Sequence, residues 1–199
     1  MENKFILASS SIYRKKILKT LIPQFTCISP KIDETPLPNE EPMLLVKRLA
    51  TEKANAVARN NSNAIIIASD QCACHNNKII GKPKNIKMAE QQLMSFSGCS
   101  IEFLTSLCVL DTINNQTNTI VDSFIVHFRK LTLLEVQKYI KKDSPLNCAG
   151  SFKSESLGIA LFSKLDGSDH NSLIGLPLIQ LNNILLNMGI NILTDELIA

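Results

Sequence analysis

The sequence has no tryptophan, and aromatic residues make up only 5% of it. No window approaches the roughly 18 consecutive apolar residues that span a bilayer. The N-terminal apolar core, Phe5-Ile6-Leu7-Ala8, is too short for a signal-peptide h-region. No membrane association is expected, and the reading is of a soluble, cytoplasmic protein. A basic block is also missing. Lys and Arg total 21 against 18 Asp and Glu, the net charge is +3, and the densest cluster, Arg14-Lys15-Lys16, has no basic neighbour segment. Duplex binders carry a basic stripe, so polymeric nucleic acid is not an expected partner. There is no Cys-x-x-Cys pair among the 6 cysteines, which removes zinc ribbons and thioredoxin-like motifs. Cys72-Ala73-Cys74-His75 resembles a metal-ligand run, but alternating Cys in a strand reads more simply as small buried hydrophobes. Reduced thiols agree with a cytoplasmic protein.

What is present is ordinary for a globular chain: 45% hydrophobic and 20% charged residues. At 199 residues it is long enough for a sizeable core and short enough to read as a single domain over 1–199. Lys4 to Ala8 reads as a strand, followed by a Ser-rich turn and a helix from Ser11 with Ile12, Ile17, Leu18 and Leu21 on its apolar side. Phe25 to Ser29 is a second strand, and Pro30 to Pro42 a polar loop. A long helix follows over about Pro42 to Asn60. Ala64 to Ala68 is a continuous apolar run, suited to a central strand that ends at Ser69-Asp70. Cys72 to Gly81 reads as a hairpin turning at Asn76-Asn77. Then come a helix over Ile86 to Ser97, strands over Ile101 to Asp111 and Thr119 to Arg129, and a helix over Thr132 to Lys142. That last helix has the Thr132/Glu135 capping-box spacing. Leu157 to Leu165 is strand-like, and a final helix spans about Leu173 to Asn187. The order describes a mixed α/β fold.

Several segments bring chemistry with them. The turn Leu7 to Ser11 opens a helix whose free N–H groups and positive dipole end suit an anion. Ser9 and Arg14 add donors for phosphate oxygens. The plainer reading is a capped helix with a solvated basic face. Asp33-Glu34 alone is a solvated acidic loop, and Arg48 with Glu52, four apart, a surface ion pair. Asp70, delivered by an apolar strand, is placed to bind a cation or act as general base on water. Lys82, in the rigid loop Gly81-Lys82-Pro83-Lys84, offers a compact cation. His127 and Arg129 share one strand face and read as interface or surface residues.

Taken in order, LASSSIYRKKIL, DETPLPNEEP with LLVKRLATEKANAVA, IIIASDQ, IIGKPKN, HFRKLTLLEVQKYIKKDSPLNCAGSFKSESLGIALF and GLPL resemble the signatures of the Maf family of nucleotide pyrophosphatases. The resemblance runs from Leu7 to Leu178. It implies an α/β fold with a mixed twisted sheet flanked by helices, and two lobes around a central nucleotide-binding cleft. It also implies hydrolysis of a nucleoside triphosphate between the α- and β-phosphates, with Mg²⁺ or Mn²⁺ as divalent cation. By position, Ser9, Arg14, Lys53 and Lys82 match residues that hold the triphosphate, and Glu34 a polar residue lining the same cleft. Asp70 matches the proton acceptor, with metal ligation as its other role. Family members are often homodimers.

Three departures from the family's common pattern, Tyr13, Gln71 and Glu155, resemble the branch that acts on 7-methyl-GTP, although Tyr13 stands where tryptophan is usual there. N7 methylation makes guanine a delocalised cation, which an aromatic face attracts by roughly 0.5–2 kcal/mol. A carboxylate adds charge attraction and accepts from the guanine N–H edge. The expectation is that Tyr13 stacks on the base, Glu155 pairs with its edge and Gln71 orients it. The competing expectations are a pyrophosphatase for dTTP, UTP or another modified nucleotide, and a nucleotide-binding regulator without turnover.

Overall fold

The computed structural model describes residues 4–76 and 78–195. Its framework is a seven-stranded mixed sheet in the order β2-β1-β3-β5-β6-β7, with β4 added to β3. The strands are β1 (Lys4–Leu7), β2 (Thr26–Cys27), β3 (Ala64–His75), β4 (Lys78–Ile80), β5 (Ser100–Asp111), β6 (Gln116–Phe128) and β7 (Phe162–Asp166). β1 runs parallel to β2 and β3, and every other pairing is antiparallel. The helices are α1 (Ile12–Leu21), α2 (Pro42–Ala58), α3 (Ile86–Phe96), α4 (Leu133–Asp143), α5 (His170–Ile174) and α6 (Leu178–Asn187).

Strand alternation sorts the core onto two faces. Ile65 and Ile67 of β3 meet Ile17 and Leu18 of α1 and Leu181 and Leu185 of α6. Ile66 and Ala68, facing the other way, meet Ala50, Ala54 and Val57 of α2. The small residues on α2 let that helix lie close to the sheet. A separate aromatic cluster lies at the far end of the sheet, where Phe96, Phe103, Phe124, Phe128 and Phe152 pack with Val136 and Ile140 of α4. Phe152 meets Phe103, Phe128 and Phe162 edge-on at centroid separations of 5.2, 5.6 and 4.9 Å. Such pairs add about 0.5–1.5 kcal/mol each beyond area burial.

β3 does not stop at Asp70. It continues to His75, so the carboxylate sits mid-strand. The polar triplet Ser69-Asp70-Gln71 looks like a strand end, yet β5 pairs with it throughout, Ser69 to Leu107 and Asp70 to Ser106. The expected final helix is also two. Gly175, at φ 125°, and Pro177 separate α5 from α6, because a left-handed turn and a missing N–H cannot continue a helix. The expected strand at Leu157 begins instead as a 3₁₀ turn, Leu157–Leu161, and β7 starts at Phe162. Gly158 is the cause, since its backbone packs directly on the Lys153 carbonyl, which accepts from Ser156 N and Gly158 N. Gly158→Ala forces a Cβ into that carbonyl with no side chain able to yield. We expect it to cost about 1–3 kcal/mol. A lowered Tm, with Glu155 displaced from its place three residues upstream, is the outcome to look for; an unchanged Tm contradicts the packing.

The Thr132 capping box is present in full, with Glu135 N donating to Thr132 Oγ1 and Thr132 N to Glu135 Oε2. The hairpin is present too, joining β3 to β4 with Asn76 at φ 51°. Its other expected turn residue, Asn77, lies outside the described residues. Among the described residues no helix is long and apolar enough to cross a membrane.

Candidate active site

The topology leaves a gap beside β3. β5 covers one edge of that strand along its length. On the other edge β1 pairs only with Ala64 to Ile67, and β4 only with Ala73 to His75. Residues 68–72 of β3 therefore have no strand neighbour on that side, and the space opens into a cleft of about 610 Å³. Ser9, Tyr13, Arg14, Glu34, Lys53, Asp70, Gln71, Lys82 and Glu155 all line it. The structure thus places in one cleft the nine residues to which the family resemblance assigns a role, while Asp33, Arg48, Glu52, His127 and Arg129 do not line it.

At its centre Lys53 Nζ lies 2.6 Å from Asp70 Oδ1 and 2.9 Å from Glu34 Oε1. α2 presents Lys53 on its buried face, in line with Ala50, Ala54 and Val57, so the lysine is only 5% exposed. Asp70 is 8% exposed, and its main chain is fixed by a 3.1 Å bond from Asp70 N to Ser106 Oγ. Glu34 comes from the loop before α2, with its side chain 56% exposed. One buried ammonium between two carboxylates is a paired arrangement, and pairing is what makes burial of such charges tolerable. It also fixes Asp70 through one oxygen only, leaving Oδ2 without a partner among the described residues.

The anion end is the turn from β1 into α1. Ser11 caps the helix, Arg14 N donating to Ser11 Oγ at 3.4 Å, and Ser11 N in turn donates to Ser9 Oγ at 3.1 Å. Ser9 is buried and Ser10 exposed. Arg14 Nε donates to Gly175 O at 2.8 Å, and Ser69 Oγ donates to the same carbonyl at 2.7 Å. Burial pulls the Arg14 guanidinium below its ordinary pKa, and Asp70 and Glu34 oppose that fall. Lys82, exposed on the loop after β4, has no carboxylate partner among the described residues. A capped helix N-terminus, a half-buried guanidinium and an ammonium without a carboxylate partner among the described residues, all around one cleft, form a site for a polyanion.

Asp70 and Gln71 point to opposite faces of β3, as alternation requires. Gln71 Nε2 donates to Thr105 Oγ1, Ser172 O and Leu173 O at 2.9, 2.8 and 3.1 Å. Thr105 donates its own proton to Ser172 O, so it can only accept from Gln71. That cage of oxygens settles which end of the amide is which and leaves its carbonyl oxygen as the available group. Tyr13 lies near Cys148 and Glu155, and its phenol is pushed up to about 12, first by burial and then by the Cys148 thiol, Glu155 and Asp143. Cys148 and Gly175 were not foreseen as site residues. Nothing in a lone cysteine, or in a glycine whose carbonyl is the working atom, marks either in a sequence.

Cys72 also lines the cleft, but as part of an apolar wall, and the remaining expectations fall outside it. Cys72 and Cys74 pack in an apolar cluster with Val46 and Leu104, while His75 faces the other side of β3 and stacks on Phe96. His127 Nε2 contacts Asp166 Oδ2 at 2.8 Å, and Arg129 Nη2 contacts Glu135 at 2.8 Å, both as partly exposed surface pairs. Arg48 does reach Glu52, at 3.3 Å, but Glu40 is its nearer partner at 2.6 Å.

Comparison with known proteins agrees with this architecture. The family described as Maf-like protein matches residues 4–188. A 7-methyl-GTP pyrophosphatase of Colwellia psychrerythraea is 50% identical over 191 residues, 96% of this chain and 96% of that protein. One from Aliivibrio fischeri is 50% identical over 193 residues, 97% of this chain and 100% of its own length. Among solved structures, a HAM1 protein from Coxiella burnetii superposes with a TM-score of 0.52 at 13% identity, covering 93% of this chain and 99% of that one. That last likeness concerns the fold.

Proposed function

The chain belongs to the Maf family, and from that premise we propose that it hydrolyses 7-methyl-GTP to 7-methyl-GMP and pyrophosphate. The observation that carries the reading is the Lys53–Asp70–Glu34 cluster set in a cleft that also holds the N-terminus of α1, Arg14 and Lys82. Two relatives named for that activity, each half identical over nearly the whole chain, support the choice of substrate.

In this reading the triphosphate lies along the α2 side of β3, and the base on the other side, near Tyr13, Gln71 and Glu155. Asp70 Oδ2 takes a proton from water as the water oxygen bonds to the α-phosphorus. The bond from that phosphorus to the oxygen bridging to the β-phosphorus breaks, and pyrophosphate departs. Lys53, Arg14 and Lys82 offset the charge that develops on the phosphate oxygens. Ser9 and the N–H groups at the start of α1 hold one phosphate.

Mg²⁺ or Mn²⁺ is part of the proposal. Glu34 Oε2, together with Asp70 Oδ2 in its other role as ligand in place of base, is a hard oxygen donor with no hydrogen-bond partner among the described residues, where no cluster of three or more ligating side chains occurs. A pair of carboxylates suits a cation that completes its shell with phosphate oxygens and water. When bound, the ion neutralises charge on the triphosphate. Cysteines left free, as all six are in the structure, agree with a cytoplasmic setting.

The test is pyrophosphate release with Mg²⁺ or Mn²⁺ across the common triphosphates and 7-methyl-GTP. Preference for 7-methyl-GTP supports the proposal, and preference for a pyrimidine triphosphate overturns its base-recognition half. Glu155→Gln removes the charge that faces the methylated base while keeping its shape. We expect the preference for 7-methyl-GTP over GTP to fall roughly tenfold, about 1.4 kcal/mol. An unchanged ratio of kcat/KM values removes Glu155 from base selection.

A further inference from the structure

We propose that Arg48 is the positioning residue of this site: it clamps the loop between β2 and α2 onto α2 so that Glu34 reaches Lys53. The inference rests on the pyrophosphatase reading for its kinetic consequence and on geometry alone for the clamp.

The loop has no regular structure between Cys27 and Pro42. Glu34 reaches the buried lysine through an ion pair, and its side chain is more than half exposed. Something else must hold the backbone that carries it, since fixing a loop residue costs about 1–2 kcal/mol of conformational entropy. Arg48 is that support. Its Nε and Nη2 grip Glu40 through both carboxylate oxygens, at 2.6 and 2.8 Å. The same Nη2 donates to the carbonyl of Thr35, the residue after Glu34, at 3.2 Å. Glu40 Oε2 also accepts from Leu37 N at 2.9 Å, and Asp33 Oδ1 accepts from Thr35 N and Thr35 Oγ1 at 2.9 and 2.6 Å. One guanidinium thus holds both sides of the loop tip. The bidentate grip is the strong form of this interaction and a geometry that lysine cannot copy.

Arg48 and Lys53 stand on the same helix, five positions apart, so they project from different sides of it. α2 therefore sets both halves of the Lys53–Glu34 contact: Lys53 directly, and Glu34 by way of Arg48. The guanidinium also holds the Glu40 carboxyl down at about 2, so the clamp stays ionised at any pH used for assay.

The experiment pairs two readouts on Arg48→Ala, Arg48→Lys, Glu34→Gln and the Arg48→Ala/Glu34→Gln double variant. Amide hydrogen exchange of residues 33–40, without nucleotide, is expected to speed up in Arg48→Ala and to a smaller degree in Arg48→Lys. Unchanged exchange overturns the clamp, and this readout does not depend on which substrate is turned over. In pyrophosphate release, misplacing Glu34 is expected to lower kcat/KM by roughly 10- to 100-fold. The double variant should then be no worse than the poorer single one, because both remove the same placement. Losses that multiply overturn the inference, while failure of wild-type protein to release pyrophosphate from any nucleotide overturns the function reading and leaves the exchange result standing.

Discussion

Asp70→Asn is expected to lower kcat for pyrophosphate release by on the order of 10²–10⁴ and to leave the fold intact. Both halves of that expectation follow from where the carboxylate sits. The β3 backbone is held by the ladder to β5 and by the bond from Asp70 N to Ser106 Oγ, neither of which involves the side-chain oxygens. An asparagine of the same shape keeps an acceptor for Lys53, which also retains Glu34 at 2.9 Å. What disappears is an oxygen able to take a proton from water, and one negative oxygen for a cation. Measured at saturating 7-methyl-GTP beside a thermal melt, near-full activity in this variant removes Asp70 from the chemistry in either role. A collapse of the melt instead makes Asp70 a structural residue.

The comparison of sequence and structure turns on what each signal measures. The capping box at Thr132 and the helix start at Pro42 were legible because both depend on atoms a few residues apart. The end of β3 was misread because strand continuity depends on β5, about 36 residues away, pairing Ser106 with a polar stretch that looks like a boundary. The break between α5 and α6 was written in Gly175 and Pro177 but hidden by apolar residues on either side, whose periodicity runs across it. The site shows the same division. Charged residues at strand and loop ends were visible as candidates, and the family's ordered motifs joined them. The supports were not. Thr105, the carbonyls of Ser172 and Leu173, and Gly175 act through atoms that every residue or many residues possess. Arg48 was visible, but its nearest acidic neighbour in helical spacing, Glu52, concealed the nearer one in space, Glu40.

Lys53 separates catalysis from stability in a way Asp70 does not. Lys53→Met keeps the length of the stem on the buried face of α2 and removes only the ammonium. The charge that balanced Asp70 is then gone, with Arg14 the remaining cation near it. Removing one partner of a buried ion pair is expected to cost about 3 kcal/mol, against little for Asp70→Asn, where the lysine keeps Glu34. Activity should fall too, by on the order of 10²–10³, because a preorganised cation facing the phosphates has been lost. Combining Lys53→Met with Asp70→Asn removes both members of the pair, and most of the lost stability should return while activity stays low. Denaturant unfolding of the two single variants and the double one decides the matter. If Lys53→Met is as stable as wild type, the Lys53–Asp70 contact contributes little to the fold, and the close spacing of these groups is maintained for the chemistry of the cleft alone.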